Sequence, residues 1–251
     1  MFSTEKPNVI VGPNGAGKSA LLKALSLMTL SHQTGASSFD SKYVSHLDAD
    51  NYWASHGYRW DHLYTFLPGL SVDTDYAPAL YYRPGHVPGN QEMVSAAMMS
   101  GYFDEAREYG TLTRNRSSGQ GCSALLARVI AVLEGDLSPM QYRYVNWRYG
   151  TRPVDLTRDR DASETQHRAE VLKQRYGNLP ADVLPVILLD EPEQSLDAMA
   201  EMVLWRKVAT ADSRRVQVIA ASHSLYPLMH PEQFNLIEAV PGYLAQVLAL
   251  L

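Results

Sequence analysis

The sequence predicts an α/β fold in which an open, mostly parallel sheet is flanked by helices. Three observations predict it. Apolar runs of strand length recur along the chain, helix-like stretches separate them, and the first run leads directly into a glycine-rich turn and a helix. The runs are apolar at nearly every position rather than alternating, which suits strands covered on both faces. The chain has 251 residues, of which 45% are hydrophobic and 20% charged. Those values fit one soluble globular domain over residues 1–251, or such a domain with a lobe inserted in it.

Taken in order, the expected strands are Asn8–Val11, Ala79–Tyr82, Val183–Leu189, Val216–Ala221 and Phe234–Val240. The stretch "KSALLKALSLM" after the first strand reads as a helix. "CSALLARVIAVLEG" is apolar almost all round and is expected to be buried. "LDAMAEMVLWRKVA" has an apolar face at helical spacing. Two regions fit the alternation less well. Residues 31–78 are rich in Ser, His, Asp, Tyr and Trp with weak periodicity. Residues 136–181 interrupt the pattern; Pro139, Pro153 and Pro180 punctuate them, and Thr165–Tyr176 reads as helical.

Formal net charge is −5, so the whole molecule is not a polycation that binds nucleic acid by bulk charge, although a local patch remains compatible with this value. Cys122 is the only cysteine, which excludes an intramolecular disulfide and a multi-cysteine zinc site. The opening "MFSTEKPNVIVG" lacks the basic-then-apolar order of a signal peptide, and no apolar run nears the roughly 18 residues of a membrane span. The expectation is a cytoplasmic protein with no direct membrane insertion.

"GPNGAGKS", Gly12 to Ser19, satisfies the eight-position phosphate-loop pattern in full, with a strand before it and a helix after it. Its glycines let backbone N–H groups turn inward around phosphate oxygens, and the helix N-terminus adds a favourable dipole. The expected nucleotide-binding set is Gly12, Pro13, Asn14, Gly15, Ala16, Gly17, Lys18, Ser19 and Ala20. Lys18 should reach the β- and γ-phosphates, and Ser19 should ligate Mg²⁺. The loop alone implies a nucleotide binder, as in P-loop NTPases, without separating kinases, GTPases, helicases and ABC-type ATPases.

"VILLDEPEQSLDA" supplies an acidic pair. A buried strand delivers Asp190 and Glu191 to its C-terminal end, where open α/β sheets bind ligands. Asp190 is the expected Mg²⁺ partner beside Ser19. Glu191 can act as the general base toward an attacking water.

At these residues the chain resembles the ABC-type ATPases. "LLDEPEQSLD" looks like their Walker B and D-loop segment, with Asp197 at the D-loop aspartate that touches the opposite subunit. "VQVIAASHS" ends in His223, 32 residues after Glu191, which is about the family's spacing for the switch histidine at the γ-phosphate. Their signature, commonly Leu-Ser-Gly-Gly-Gln at the start of a helix, corresponds to Arg116, Ser117, Ser118, Gly119 and Gln120. Ser117, Gly119 and Gln120 match, while Arg116 and Ser118 depart. A Ser hydroxyl, a Gly N–H and a helix N-terminus make an anion site. In that family the site acts in trans, on the γ-phosphate held by the other subunit.

The resemblance covers most of the chain with three departures. Only 11 residues precede Gly12, so the adenine-stacking segment of transporter ATPases is missing or rearranged, and GTP stands beside ATP as a candidate. After "PALYY" the Gln loop has only Gln91 as a weak metal-site candidate, with Arg83 or His86 as occupants of the same space. Gly119 and Asp190 lie 71 residues apart, and the excess falls in 136–181. Residues 141–180 hold eight Lys/Arg against five Asp/Glu, and "QYRYVNWRY" adds four aromatics. Such a segment can stack bases, dock a protein or pack on its own domain. The spacing of His32, His46, His56, His62 and His86 forms no convincing metal site.

The departures look more like the soluble ABC-type ATPases of the repair, SMC-like, OLD-like and phage-defence groups, without coiled-coil arms. The resemblance implies an ABC-type ATPase head with an inserted helical lobe: a signature-helix subdomain at 92–135 and a basic, aromatic lobe at 136–181. It implies Mg²⁺ and ATP as cofactors, Lys18, Glu191 and His223 as catalytic residues, and a homodimer closed around two ATP. It further implies control of a partner effector, a toxin or nuclease. The rival expectations are a DNA-structure sensor binding nucleic acid through 141–180, a transporter ATPase subunit, and a structural dimer locked by ATP with negligible turnover.

Overall fold

The computed structural model describes residues 1–28, 32–33, 79–84, 110–111, 113–115, 118–136 and 184–250. In chain order the elements are β1 (Asn8–Val11), α1 (Lys18–Met28), β2 (His32–Gln33), β3 (Ala79–Tyr82), α2 (Ser118–Leu133), β4 (Val186–Asp190), α3 (Ala198–Ala209), β5 (Gln217–Ala221), α4 (Tyr226–Met229), β6 (Asn235–Glu238) and α5 (Tyr243–Leu248). The strands form one sheet in the order β2-β3-β4-β5-β1-β6, and every neighbouring pair is parallel.

Side chains alternate between the two faces of the sheet, and both faces are covered. Val9, Val11, Leu80, Tyr82, Ile187, Leu189, Val218 and Ala220 point to the face where α2 and α3 pack. Ile10, Tyr81, Leu188, Ile219 and Ala221 point to the other, against Leu22 of α1. Covering on both sides is why these strands read as continuous apolar runs. Trp205 of α3 is fully buried and meets Phe234 edge to face, with ring centroids 5.9 Å apart.

Asn8 is the buried polar residue that ties β1 to its surroundings. Its side-chain amide donates to the carbonyls of Ser3 (2.9 Å) and Val218 (3.2 Å). Its Oδ1 accepts from the Ser3 N–H (2.6 Å) and the Asn235 amide (2.8 Å). One side chain thus joins the leading segment to β5 and β6, with its hydrogen-bonding capacity filled.

Several boundaries differ from expectation. β4 starts at Val186 rather than Val183; Pro185 just before it lacks an N–H, although its carbonyl accepts from Gln217 (2.9 Å). β6 is shorter than the apolar run that suggested it, and β2 was not expected at all. α2 begins at Ser118, four residues ahead of "CSALL". It is not buried all round: Leu125, Leu126, Val129, Val132 and Leu133 are buried, whereas Gln120 and Ala127 are exposed. A helix lying on a sheet shows its far side to water, and alanines there count as apolar in a sequence while adding little exposed area. The expected helix at Thr165–Tyr176, nearly all of the 136–181 lobe, and residues 92–109, 112 and 116–117 of the 92–135 subdomain lie outside the described residues. Among the described residues no helix is long and apolar enough to cross a membrane.

The strand order places β5 between β1 and β4. In a parallel sheet all strands end on the same edge. The turns after β1, β5, β4 and β3 therefore lie side by side, where α/β sheets hold ligands.

Candidate functional site

The turn after β1 is the first wall of the site. Gly15 and Gly17 have φ of 78° and 85°, in the left-handed region that other residues enter only with strain. Those two angles let the chain reverse within one loop and launch α1 at Lys18. The first intrahelical bond runs from the Leu21 N–H to the Gly17 carbonyl (2.9 Å). The amides of the first turn, Ser19 and Ala20 among them, have no acceptor within the helix, the arrangement that suits a helix N-terminus to anions. The Lys18 ammonium is buried and donates to the carbonyls of Gly12 (2.9 Å) and Pro13 (3.1 Å). Burial pulls its pKa below the ordinary lysine value, and the nearby Glu191, Asp190 and Glu193 carboxylates pull the other way.

β4 supplies the second wall. Asp190 closes the strand, fully buried. Its Oδ2 accepts from the Tyr81 hydroxyl of β3 at 2.9 Å and lies 3.6 Å from Arg83 Nη1. Its Oδ1 is buried with no hydrogen-bond partner among the described residues. A buried, unpartnered carboxylate oxygen is costly unless something else occupies it. A hard divalent cation takes oxygen ligands of this kind, and the half-buried Ser19 in the first turn of α1 offers a hydroxyl of the same chemistry. The residues present therefore fit Mg²⁺. Burial and the adjoining Asp190 carboxylate push the Tyr81 hydroxyl far above the ordinary tyrosine value, so it stays a hydrogen-bond donor.

Glu191 follows in a left-handed conformation, φ 50°, unusual for a residue with a side chain. Its N–H donates to the Ala221 carbonyl (2.8 Å), extending the β4–β5 pairing one residue past the strand. Its side chain accepts from Gln194 Nε2, and its Oε1 lies 3.6 Å from His223 Nε2. Ser222 and His223 follow β5, the strand between the other two.

Two features that the motifs did not assign help to hold this edge. One is Tyr81, which orients Asp190 from the neighbouring strand. The other is Glu193, whose Oε1 accepts both the Ser222 hydroxyl (2.9 Å) and the His223 N–H (2.7 Å). Burial pushes the Glu193 carboxyl above its ordinary value, while those donors pull it back. The signals were present as a tyrosine pair ending a strand and a second acid in "DEPE". Neither has meaning without its partner across the sheet.

Asp197 caps α3: its carboxylate accepts from the Ala200 N–H at 2.8 Å. The role seen for Asp197 is thus local, that of a helix N-cap, and its contact with an opposite subunit is an expectation from the resemblance. Ser118, Gly119 and Gln120 form the first turn of α2. Ser117, Gln91 and His86 lie outside the described residues. Among the described residues no cluster of three or more His, Cys, Asp or Glu side chains could hold a metal by itself.

A parallel sheet with a strand, a phosphate loop and a helix in sequence fits the α/β P-loop fold. A protein-family model described as "AAA domain, putative AbiEii toxin, Type IV TA system" matches residues 8–56, which contain β1, the loop and α1. That match supports nucleotide binding by an AAA-type, P-loop ATPase-like domain at the family level. No curated protein and no solved structure matches the chain.

Proposed function

We propose that the chain is a Mg²⁺-dependent ATPase built like an ABC-type head, which closes as a homodimer around two nucleotides and controls a partner effector. The observation that supports it best is the meeting of three unrelated stretches on adjacent strand ends: the Lys18 loop after β1, Asp190–Glu191 after β4, and His223 after β5.

In this reading the backbone of Gly12–Ala20 wraps the phosphates, and the Lys18 ammonium exchanges its loop carbonyls for β- and γ-phosphate oxygens. Mg²⁺, when bound, would be held by Ser19 Oγ and Asp190 Oδ1 and would offset the phosphate charge. Glu191 takes the proton of the attacking water as general base. His223 donates toward the γ-phosphate and registers whether that phosphate is present. Ser117, Ser118, Gly119 and Gln120 act on the nucleotide of the other subunit, with Asp197 at the same seam. The "Type IV TA system" wording of the matched family favours a toxin or phage-defence setting, with an effector protein as partner.

Glu191→Gln keeps the side chain's size but removes the base. The variant is expected to bind ATP, hydrolyse it at least roughly a hundredfold more slowly, and accumulate as an ATP-bound dimer. Measurement is by steady-state phosphate release and by size-exclusion chromatography with light scattering. Hydrolysis at the wild-type rate would remove Glu191 from the mechanism. The trapped dimer is also the form from which to identify the effector by copurification from the native host.

A further inference from the structure

His223 is the least anchored of the candidate catalytic groups, and its placement needs a cause. Its side chain is 34% exposed, and 3.6 Å separates its Nε2 from Glu191 Oε1. That gap is too long for a hydrogen bond, so contact with Glu191 does not fix the ring. The backbone that carries it must do so.

That backbone is lashed from outside its own strand. Glu193 Oε1 accepts the N–H of His223 and the hydroxyl of Ser222. The Ser222 oxygen in turn accepts the Ser224 N–H (2.8 Å), and the Ser224 oxygen accepts the Tyr226 N–H (3.1 Å). The Ser224 hydroxyl donates to Glu201 Oε1 (2.5 Å), in the first turn of α3. Glu193 and Glu201 stand on either side of Asp197. The turn after β5 is therefore pinned at two points to the segment that follows the acidic pair.

We propose that Glu193 is a positioning residue for His223: its carboxylate fixes the Ser222–His223 backbone and so sets the approach of the imidazole to Glu191 and to the nucleotide. The inference rests on the reading in which His223 takes part in hydrolysis. A single carboxylate oxygen accepting two donors makes charge-assisted bonds stronger than neutral ones. Small misplacements of a reacting group carry large rate effects.

The test compares Glu193→Ala, Glu193→Gln, His223→Ala and the Glu193→Ala/His223→Ala double variant in the full chain. Nucleotide affinity is read with a fluorescent ATP analogue, and chemistry by single-turnover hydrolysis. Glu193→Ala is expected to slow hydrolysis by roughly ten- to a hundredfold with nucleotide affinity unchanged. Glu193→Gln retains the acceptor oxygen and is expected to recover most of the rate. In the His223→Ala background the removal of Glu193 should add nothing, because both changes disable one unit. Should Glu193→Ala prove poorly folded by thermal unfolding, Ser222→Ala, which deletes one of the two donors, carries the same comparison and is expected to slow hydrolysis in the same direction.

Glu193→Ala at the wild-type rate beside a slow His223→Ala overturns this inference alone. So does a Gln variant as slow as the Ala variant, or a full additive loss in the double variant. His223→Ala at the wild-type rate overturns the underlying role of the histidine instead.

Discussion

Asp190 and Glu191 are neighbours in sequence yet live in opposite surroundings. Asp190 is sealed under the Tyr81 hydroxyl, whereas Glu191 is turned out of the strand by a left-handed φ and left partly open. A backbone outlier at a strand end commonly costs about 1–3 kcal/mol, and here it accompanies a Glu191 carboxylate that lies 3.6 Å from His223 Nε2. Glu193, two residues on, has a consequence for pH dependence. Burial raises its pKa on folding, so the folded chain holds that proton more tightly than the unfolded chain. Its contribution is therefore most favourable in acid and is lost as pH rises from the ordinary Glu range through the raised folded value. Glu193→Gln has no such proton. Urea unfolding of both proteins across that window should show wild type losing stability relative to the variant as pH increases; a constant difference would contradict the raised pKa. The candidate site was legible as residue patterns where it is contiguous, as in Gly12–Ser19 and Asp190–Glu191, whose roles remain those of the proposed function. It was not where the partner is remote. Tyr81 and Asp190 are 109 residues apart, Glu193 and His223 are 30 apart, and no local pattern marks either pair.

The central strands were legible as elements because burial on both faces removes the polar half of the alternation. Edge strands lose that signature: β2 has two residues and β6 is only half-buried, and their extents were missed or overstated. α3 was legible from its spacing, and the structure ranks its residues. Trp205 is fully buried in the main core, while Met199 is 78% exposed. Trp205→Ala should destabilise the protein by about 3–5 kcal/mol, and Met199→Ala by less than about 0.5 kcal/mol, measured by urea unfolding. Equal effects would mean that the packing of α3 on the sheet is wrong. Because α3 also carries the Asp197 cap and Glu201, a loosened helix should slow hydrolysis as well as weaken the fold.

For the molecule as a whole, the proposed dimer is the decisive feature. α2 starts at Ser118, and in the proposed arrangement Ser117, one residue before it, acts only on a partner's nucleotide. Ser117→Arg should leave ATP binding by the monomer intact and abolish the ATP-dependent dimer of the Glu191→Gln protein, read by light scattering. An unaffected dimer would return the turn to a plain helix cap. The sheet adds a constraint of another kind. Asp190 is paired with Ala221, and the next N–H, that of Glu191, reaches the same residue's carbonyl. Strand side chains alternate faces, so a shift of one residue exchanges inside and outside. One residue inserted between Val186 and Asp190 could leave a strand that still pairs, while its two acids no longer stood in their places beside the loop of β1. The placement of this edge is thus written in a reading frame: in the proposed function, a single-residue insertion or deletion in β4 would move Asp190 and Glu191 out of reach of the loop of β1.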